Sequence, residues 1–410
     1  MKTGFLEDQL NALCEDKAFS DEGLSFVRAR FYCGGYKLNL KKITDKLCPS
    51  GKVALFGKNN ENAEFLTALG SYLKSIGIKP IKTSFPESVV TDVDGLCVAF
   101  NLPEDVRAVV VCDNSLFDIG AYFAQTRNIP LIAIPLEYAV NGILKSFVIV
   151  KNGKKSDTVG ISVTRHILLD TAIMAEDSLR AAFAKIMGKL PSLVDYRIYG
   201  ALTGAKLSRA AYEFAREAVT DAYSSRAENR FDSYTALKDF YTLEISGAAK
   251  ADLFFKSSTE ALKRLFNPFV ADCSPEAELF AVIKIIKLYK IWADSETCIL
   301  NGVDYISRAE NISEILGTDE NFALYKLNEQ VKRLRGKSNT VKRIKNSLAA
   351  ELSGMCKSVD AAERFFYAMG GKKPTPEEQA KLNMLIRLAG DEPFAFNGLS
   401  LMREEGLLEP

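Results

Sequence analysis

The sequence predicts an N-terminal α/β domain built on a parallel, doubly wound sheet over residues 1–171, followed by an all-helical bundle domain over residues 172–410. Three observations carry that expectation. Short β-branched runs alternate with amphipathic helical stretches as far as Asp170. Beyond it, helical periodicity dominates and β-branched clusters become rare. At 410 residues the chain is long for one domain and comfortable for two, and a hydrophobic content of 47% is enough to bury both cores.

The first domain is organised around Arg107 to Gly142, which holds an apolar run at Ala108–Cys112, a polar turn, an amphipathic helix and a second apolar run at Ile129–Ile134. That is the order of a βαβ unit. The helix places Leu116, Ile119, Tyr122 and Phe123 on one side. Upstream, Lys52 to Phe56 reads as a strand ending at Gly57, and Asn62 to Ile76 repeats Phe65, Leu66, Leu69, Leu73 and Ile76 at helical spacing before Gly77 stops it. Lys79 to Phe85 is a second strand and Val93 to Phe100 a helical turn or short helix. The first ~45 residues read as a helix with a loop or edge-strand segment around Arg30 to Leu40. Phe147–Val150 and Thr158–Val163, joined through Asn152 and Gly153, form an antiparallel hairpin pattern, and His166–Leu169 resumes the apolar run. The second domain should hold about eight to ten helices. Its long amphipathic stretches are Arg209–Ser225, Ala249–Leu265, Pro275–Trp292 and Glu377–Leu388.

With 53 basic and 52 acidic residues the net charge is +1, so no global field favours nucleic acid or an anionic membrane as a partner. The N-terminus lacks the basic flank and apolar core of a signal peptide, and no stretch reaches the ~18 apolar residues of a membrane span. A cytoplasmic protein is expected. The eight cysteines have no CxxC and no regular spacing, which fits reduced thiols acting as small core residues. The densest basic run, Lys332 to Lys345, has no interleaved aromatics and has Glu329 and Glu351 nearby, so it reads as a solvated helix face.

Histidine is the most restrictive count, because His166 is the only one. Catalytic zinc and iron sites usually draw at least two imidazoles from the protein, so a transition-metal site within one chain is not expected. His166 precedes an apolar run and reads as a structural histidine at a strand edge. The turn of the βαβ unit is equally informative. It reads Cys112-Asp113-Asn114-Ser115, with no glycine where backbone N–H groups would approach a pyrophosphate.

Several segments, in order and spacing, resemble the sn-glycerol-1-phosphate dehydrogenase type within the superfamily of dehydroquinate synthases, glycerol dehydrogenases and iron-containing alcohol dehydrogenases. VVVCDNSLFD is similar to a strand running into GGGSxxD and keeps Ser115 and Asp118; IPLEYAVNG is similar to PTxxSxDG and keeps Pro135 and Gly142. AKIMGKLPSLVDY resembles GDxxxKxxxxxDW, retaining Lys189, Asp195 and an aromatic at Tyr196. PEAEL resembles SGxEH with Glu278 kept, NGVDYI resembles HGExVG with Gly302 kept, and the C-terminal FNGLSLMREEGLLEP looks like the family's final helix. The resemblance implies a Rossmann-like dinucleotide-binding domain, a helical domain with a cleft between them, and NAD(P)- and metal-dependent oxidoreduction.

The changed positions argue against that chemistry. By these matches the family's three metal ligands fall on Lys185, Leu279 and Asn301, none of which is a carboxylate or an imidazole, and Lys185 places a cation where a divalent cation would sit. Neither zinc nor iron is therefore expected. At the turn, Asp113 sets a carboxylate beside the phosphates, the family's lysine after Asp118 is missing, and Leu136, Ala139 and Asn141 replace the Thr, Ser and Asp of PTxxSxDG. Ordinary NAD(P) binding is not expected either.

Three readings follow. The leading one is a metal-free homologue that has lost hydride transfer and serves a binding or assembly role, as a homo-oligomer or as the partner of an active paralogue. The second is a repurposed oxidoreductase or lyase-type enzyme acting on a small polyol or sugar phosphate, with the Lys185 ammonium replacing the metal and Glu278 and Asn301 orienting the substrate. The third keeps a small phosphorylated or nucleotide ligand over Asp113, Asn114, Ser115, Asp118, Asn141 and Gly142, with Asn114, Ser115 and Asn141 as donors.

Overall fold

A computed structural model describes residues 3–24, 27–48, 51–58, 62–86, 89, 91–152, 155–225, 231–250, 252–255, 257–266, 274–296, 305–392 and 397–408. The chain divides into two units, Met1–Leu179 and Arg180–Pro410.

The first unit runs α1 (Thr3–Cys14), α2 (Lys17–Asp21), β1 (Ala29–Cys33), α3 (Tyr36–Leu47), β2 (Lys52–Lys58), α4 (Ala63–Ser75), β3 (Lys79–Phe85) and α5 (Val93–Phe100). It continues with β4 (Val106–Val111), a short 3-10 turn at Asn114–Leu116, α6 (Phe117–Arg127), β5 (Leu131–Ala133), β6 (Phe147–Asn152), β7 (Lys155–Gly160) and β8 (Arg165–Leu169). Six strands form one sheet in the order β1-β8-β5-β4-β2-β3, and every pairing in it is parallel. Helices cover both faces, which is why the inner strands read as unbroken apolar runs. On one face Val53, Leu55, Val110 and Ile132 pack with Leu66, Leu69 and Leu73 of α4. On the other, Phe56 meets Phe85 at 5.1 Å and Phe123 of α6 at 5.6 Å between ring centroids. Gly120 sets the distance from α6 to the sheet, since a Cβ there would lie 2.6 Å from Val111 Cγ2.

The expected strands and helices between Lys52 and Leu169 are present, and β6 and β7 form the expected antiparallel hairpin as a separate two-stranded sheet. The turn residue Gly153 lies outside the described residues. Two expectations need correction. The segment from Arg30 to Leu40 is an edge strand, β1, that runs into a helix, α3, whose lysine-rich surface hides its buried Leu40 and Ile43. His166 lies on an interior strand, between Arg30 of β1 and Ile132 of β5, with Tyr32 Oη 3.1 Å from Nδ1. Burial, reinforced by Arg30 and Lys46, pulls its pKa down to about 4, so the imidazole is neutral and structural.

Helix α7 (Ser178–Met187) leads into the second unit. There follow α8 (Leu190–Thr203), α9 (Arg209–Ser225), α10 (Ser233–Ala249), α11 (Asp252–Phe255), α12 (Ser258–Phe266) and α13 (Pro275–Asp294). The last are α14 (Tyr305–Leu316), α15 (Glu320–Leu334), α16 (Ser338–Ala368), α17 (Pro376–Ala389) and α18 (Gly398–Glu404). Helices α9, α13 and α17 lie where the periodicity placed them. The single helix expected over Ala249–Leu265 is instead the end of α10, then α11 and α12. Asp195 of α8 accepts hydrogen bonds from Ser258 N–H at 2.8 Å and Ser258 Oγ at 2.7 Å, and so fixes the start of α12. Its other oxygen accepts from Tyr289 Oη at 2.6 Å and Gly398 N–H at 2.8 Å, so this one buried carboxylate ties α8, α12, α13 and α18 together.

The basic run is not one solvated face. It spans α15 and α16 with Gly336 (φ +70°) between them. Lys332, Arg333, Arg335, Lys342 and Arg343 are exposed. Lys345 is buried, 2.5 Å from Glu405 and 5.4 Å from the Trp292 ring. Cys97 is exposed and Cys356 half-buried, unlike the core cysteines 14, 33, 48 and 112. Among the described residues no helix is long and apolar enough to cross a membrane.

Candidate functional site

The residues singled out from the sequence fall in two places. In the first unit, β4 ends at Val111 and the chain turns through Cys112 and Asp113 into the 3-10 turn that opens α6. Asp113 is buried and extended, and its Oδ1 accepts from both Ser115 N–H at 2.9 Å and Ser115 Oγ at 2.6 Å. The carboxylate thereby takes the N–H at the head of the turn, where a helix start favours negative charge. Asn114 and Ser115 are exposed.

Asp118, in the first turn of α6, faces other partners. Burial pushes its pKa up, opposed by Lys145 and then Arg165. The buried Arg165 guanidinium donates to the carbonyl of Lys145, and burial pulls its pKa down to about 10 against the pull of Asp118. Gly142 has φ +78°, and a Cβ there would lie 2.6 Å from Lys145 Cε. Asn141 is exposed. The fold therefore gathers Gly142, Lys145, Asp118 and Arg165, while Asp113 and Ser115 bond to each other.

In the second unit, α7 and α8 are joined through Gly188 and Lys189. Lys185, on the last turn of α7, is half-buried. Lys189 is buried, with Nζ 4.6 Å from the Phe254 ring centroid and 3.6 Å from Glu260 Oε1. Burial lowers its pKa and Lys263 adds to the effect, with Glu260, Glu244 and Glu278 opposing. Glu278, in the first turn of α13, is buried with Oε1 3.4 Å from Lys263 Nζ, and Lys263 also lies 3.7 Å from Glu260. Gly188 admits that carboxylate, since a Cβ there would meet Glu278 Oε1 at 2.7 Å and the Lys185 carbonyl at 3.1 Å. Leu279 is buried. Asn301 and Gly302 lie outside the described residues.

No protein-family model matches the chain. Over 201 residues it is 25% identical to the glycerol-1-phosphate dehydrogenase [NAD(P)+] of Bacillus velezensis, a match covering 47% of the chain and 50% of that protein, so the chain spans about half the length of the curated relative it matches. Its fold is that of sulfoacetaldehyde reductase from Bifidobacterium kashiwanohense, solved with NAD+ (TM-score 0.56, 13% identity, 93% of this chain and 95% of that one). It is also that of an archaeal halo-thermophilic alcohol dehydrogenase from a Red Sea brine pool (TM-score 0.51, 14% identity, 94% of each chain). The chain thus has the fold of these two enzymes and is similar in sequence, over about half its length, to a glycerol-1-phosphate dehydrogenase.

This chain's residues fit neither group that the resemblance implies. A pyrophosphate at the β4 turn would compete with the Asp113 carboxylate for the Ser115 N–H and meet its charge. A divalent cation beside Glu278 would meet the Lys263 ammonium, with Lys185 and Leu279 at two of the positions that match its ligands. Among the described residues no three His, Cys, Asp or Glu side chains are grouped to hold a metal. Beside Lys189 and Glu278 the fold also places Glu260 and Lys263, which no sequence motif singles out. Their three-residue spacing puts them on one face of α12, a signal legible once α12 is recognised as a separate helix.

Proposed function

We propose that this chain is a metal-free homologue of the NAD(P)-dependent glycerol-1-phosphate dehydrogenases that does not carry out their hydride transfer and serves a binding or assembly role, as a homo-oligomer or alongside an active paralogue. One observation carries the reading. Glu278, the carboxylate kept from the SGxEH-like segment, is paired with Lys263, so the positive charge beside it is an ammonium of this chain. A divalent cation polarises a carbonyl and stabilises a developing alkoxide, a contribution of several kcal/mol that one ammonium in an ion pair does not reproduce. The test is metal content by inductively coupled plasma analysis of the native protein, with dehydrogenase assays on glycerol phosphate and small polyols. Substoichiometric zinc and iron with no NAD(P)H production is expected; near-stoichiometric metal would overturn the reading.

A second reading, an enzyme that uses a lysine in place of the metal, is favoured by Lys189 over Lys185. Lys189 is buried on an aromatic face with its pKa lowered, as a Schiff-base lysine requires. Borohydride trapping with candidate ketones tests it. An adduct mapped to Lys189 supports it, and unmodified protein disposes of it.

A further inference from the structure

The disagreement between the β4 turn and a dinucleotide has a local cause, and the same cause recurs at a second turn of the sheet. Because all six strands are parallel, the turns after β1 and β4 open on the same edge of the sheet. After β1 the chain passes through Gly34 (φ +79°) and Gly35 (φ +31°) into α3. Here the glycines that the β4 turn lacks are present. Yet the first N–H of α3, on Tyr36, donates to Asp170 Oδ2 at 2.8 Å, and Cys33 N–H donates to Glu7 Oε2 at 2.9 Å. Asp113 and Asp170 are both buried. Two helix-opening turns on one edge thus carry a fixed carboxylate where such a turn would otherwise offer its N–H groups to an anion.

We propose that Asp113 and Asp170 are internal counter-anions that hold these two turns closed, so that the edge of the sheet on which superfamily members receive a pyrophosphate is filled by the chain's own carboxylates. A carboxylate already tethered to the turn needs no association step to reach the N–H groups. A phosphate must displace it and remain beside its charge. The inference extends the reading above from the metal to the nucleotide but stands on different residues, so each can fail alone.

The test uses the full chain and thermal-shift titrations with NAD+, ADP and inorganic pyrophosphate. The wild-type midpoint is expected to stay unmoved at millimolar concentrations of all three. In Asp113→Gly/Asn114→Gly, which restores the glycine turn, ADP and pyrophosphate should raise the midpoint and bind at least tenfold more tightly than to wild type. Asp113→Asn, which removes the charge but keeps an oxygen for Ser115, should show a smaller rise with pyrophosphate. If the glycine variant does not melt cooperatively, Asp113→Asn decides: a rise supports the proposal and silence overturns it. Saturable wild-type binding of NAD+ also overturns it, as do two folded variants that ignore all three probes. Metal analysis of the same wild-type preparation reports on the earlier reading independently.

Discussion

Replacing Asp239 by Asn should stabilise the helical unit, and more so as the pH rises. Asp239 lies on α10 with a fully buried side chain whose two carboxyl oxygens accept no hydrogen bond. Lys238 Nζ is 3.3 Å from Oδ1 but is already held by Asp221 at 2.5 Å. Burial is the dominant cause that raises the Asp239 pKa from its ordinary 3.8 to about 7; Lys238 opposes the rise, and Asp221 and Glu217 of α9 add to it. The folded protein therefore keeps a proton that the unfolded chain releases. The stability this proton provides is complete below about pH 4 and is lost as the pH climbs through 7. Three pKa units correspond to at most ~4 kcal/mol, and relaxation of the site reduces that to about 2–4 kcal/mol. An amide mimics the neutral acid at every pH. Asp239→Asn should thus melt within a degree or two of wild type near pH 4.5 and roughly 5–10 °C higher at pH 8. Differential scanning calorimetry from pH 4.5 to 8 reads the difference directly. A gap between variant and wild type that does not change with pH would refute the reasoning, since a packing effect alone has no such dependence.

Other buried groups give further expectations. The His166 pKa is depressed from 6.5 to about 4, so its contribution is present above pH 6.5 and lost as the pH falls through 4; His166→Gln should flatten that acid limb, ~3 kcal/mol at most, in urea melts at pH 4 and pH 7. Gly120→Ala brings a Cβ to 2.6 Å from Val111 Cγ2 and should cost about 1–3 kcal/mol in the same measurement, where an alanine in an open helix position would stabilise. Lys345→Met leaves Glu405 buried without its ammonium and should cost about 3–5 kcal/mol, whereas Lys345→Met/Glu405→Gln should recover most of the loss in a double-mutant cycle.

The parts of the fold that local pattern controls were legible. Helices α13 and α17 begin and end within two residues of where the pattern placed them, because their apolar periodicity is sustained and the side chains of Ser274 and Thr375 cap their starts. Helix α3 was not legible, since its exposed lysines dilute the apolar stripe. The break at Ser257–Ser258 was hidden for a different reason. It depends on Asp195, 63 residues earlier in the chain, taking the Ser258 N–H. In the turn after β4 the unusual residues were visible, but the partner of Asp113 was not. The sequence shows a carboxylate in a turn without glycine, and only the folded turn shows it bonded to Ser115.

By itself, then, the sequence determined the α/β-then-helical order, the parallel sheet, a turn after β4 without glycine and a chain with a single histidine. These are properties of residue type and near-neighbour spacing. Which charges face one another was decided by tertiary structure. Lys263 pairs with Glu278, Lys189 is buried against Phe254, and Lys145 comes from a distant loop to face Asp118. Coulomb energy depends on distance in space and on burial, and neither is encoded in the separation of residues along the chain.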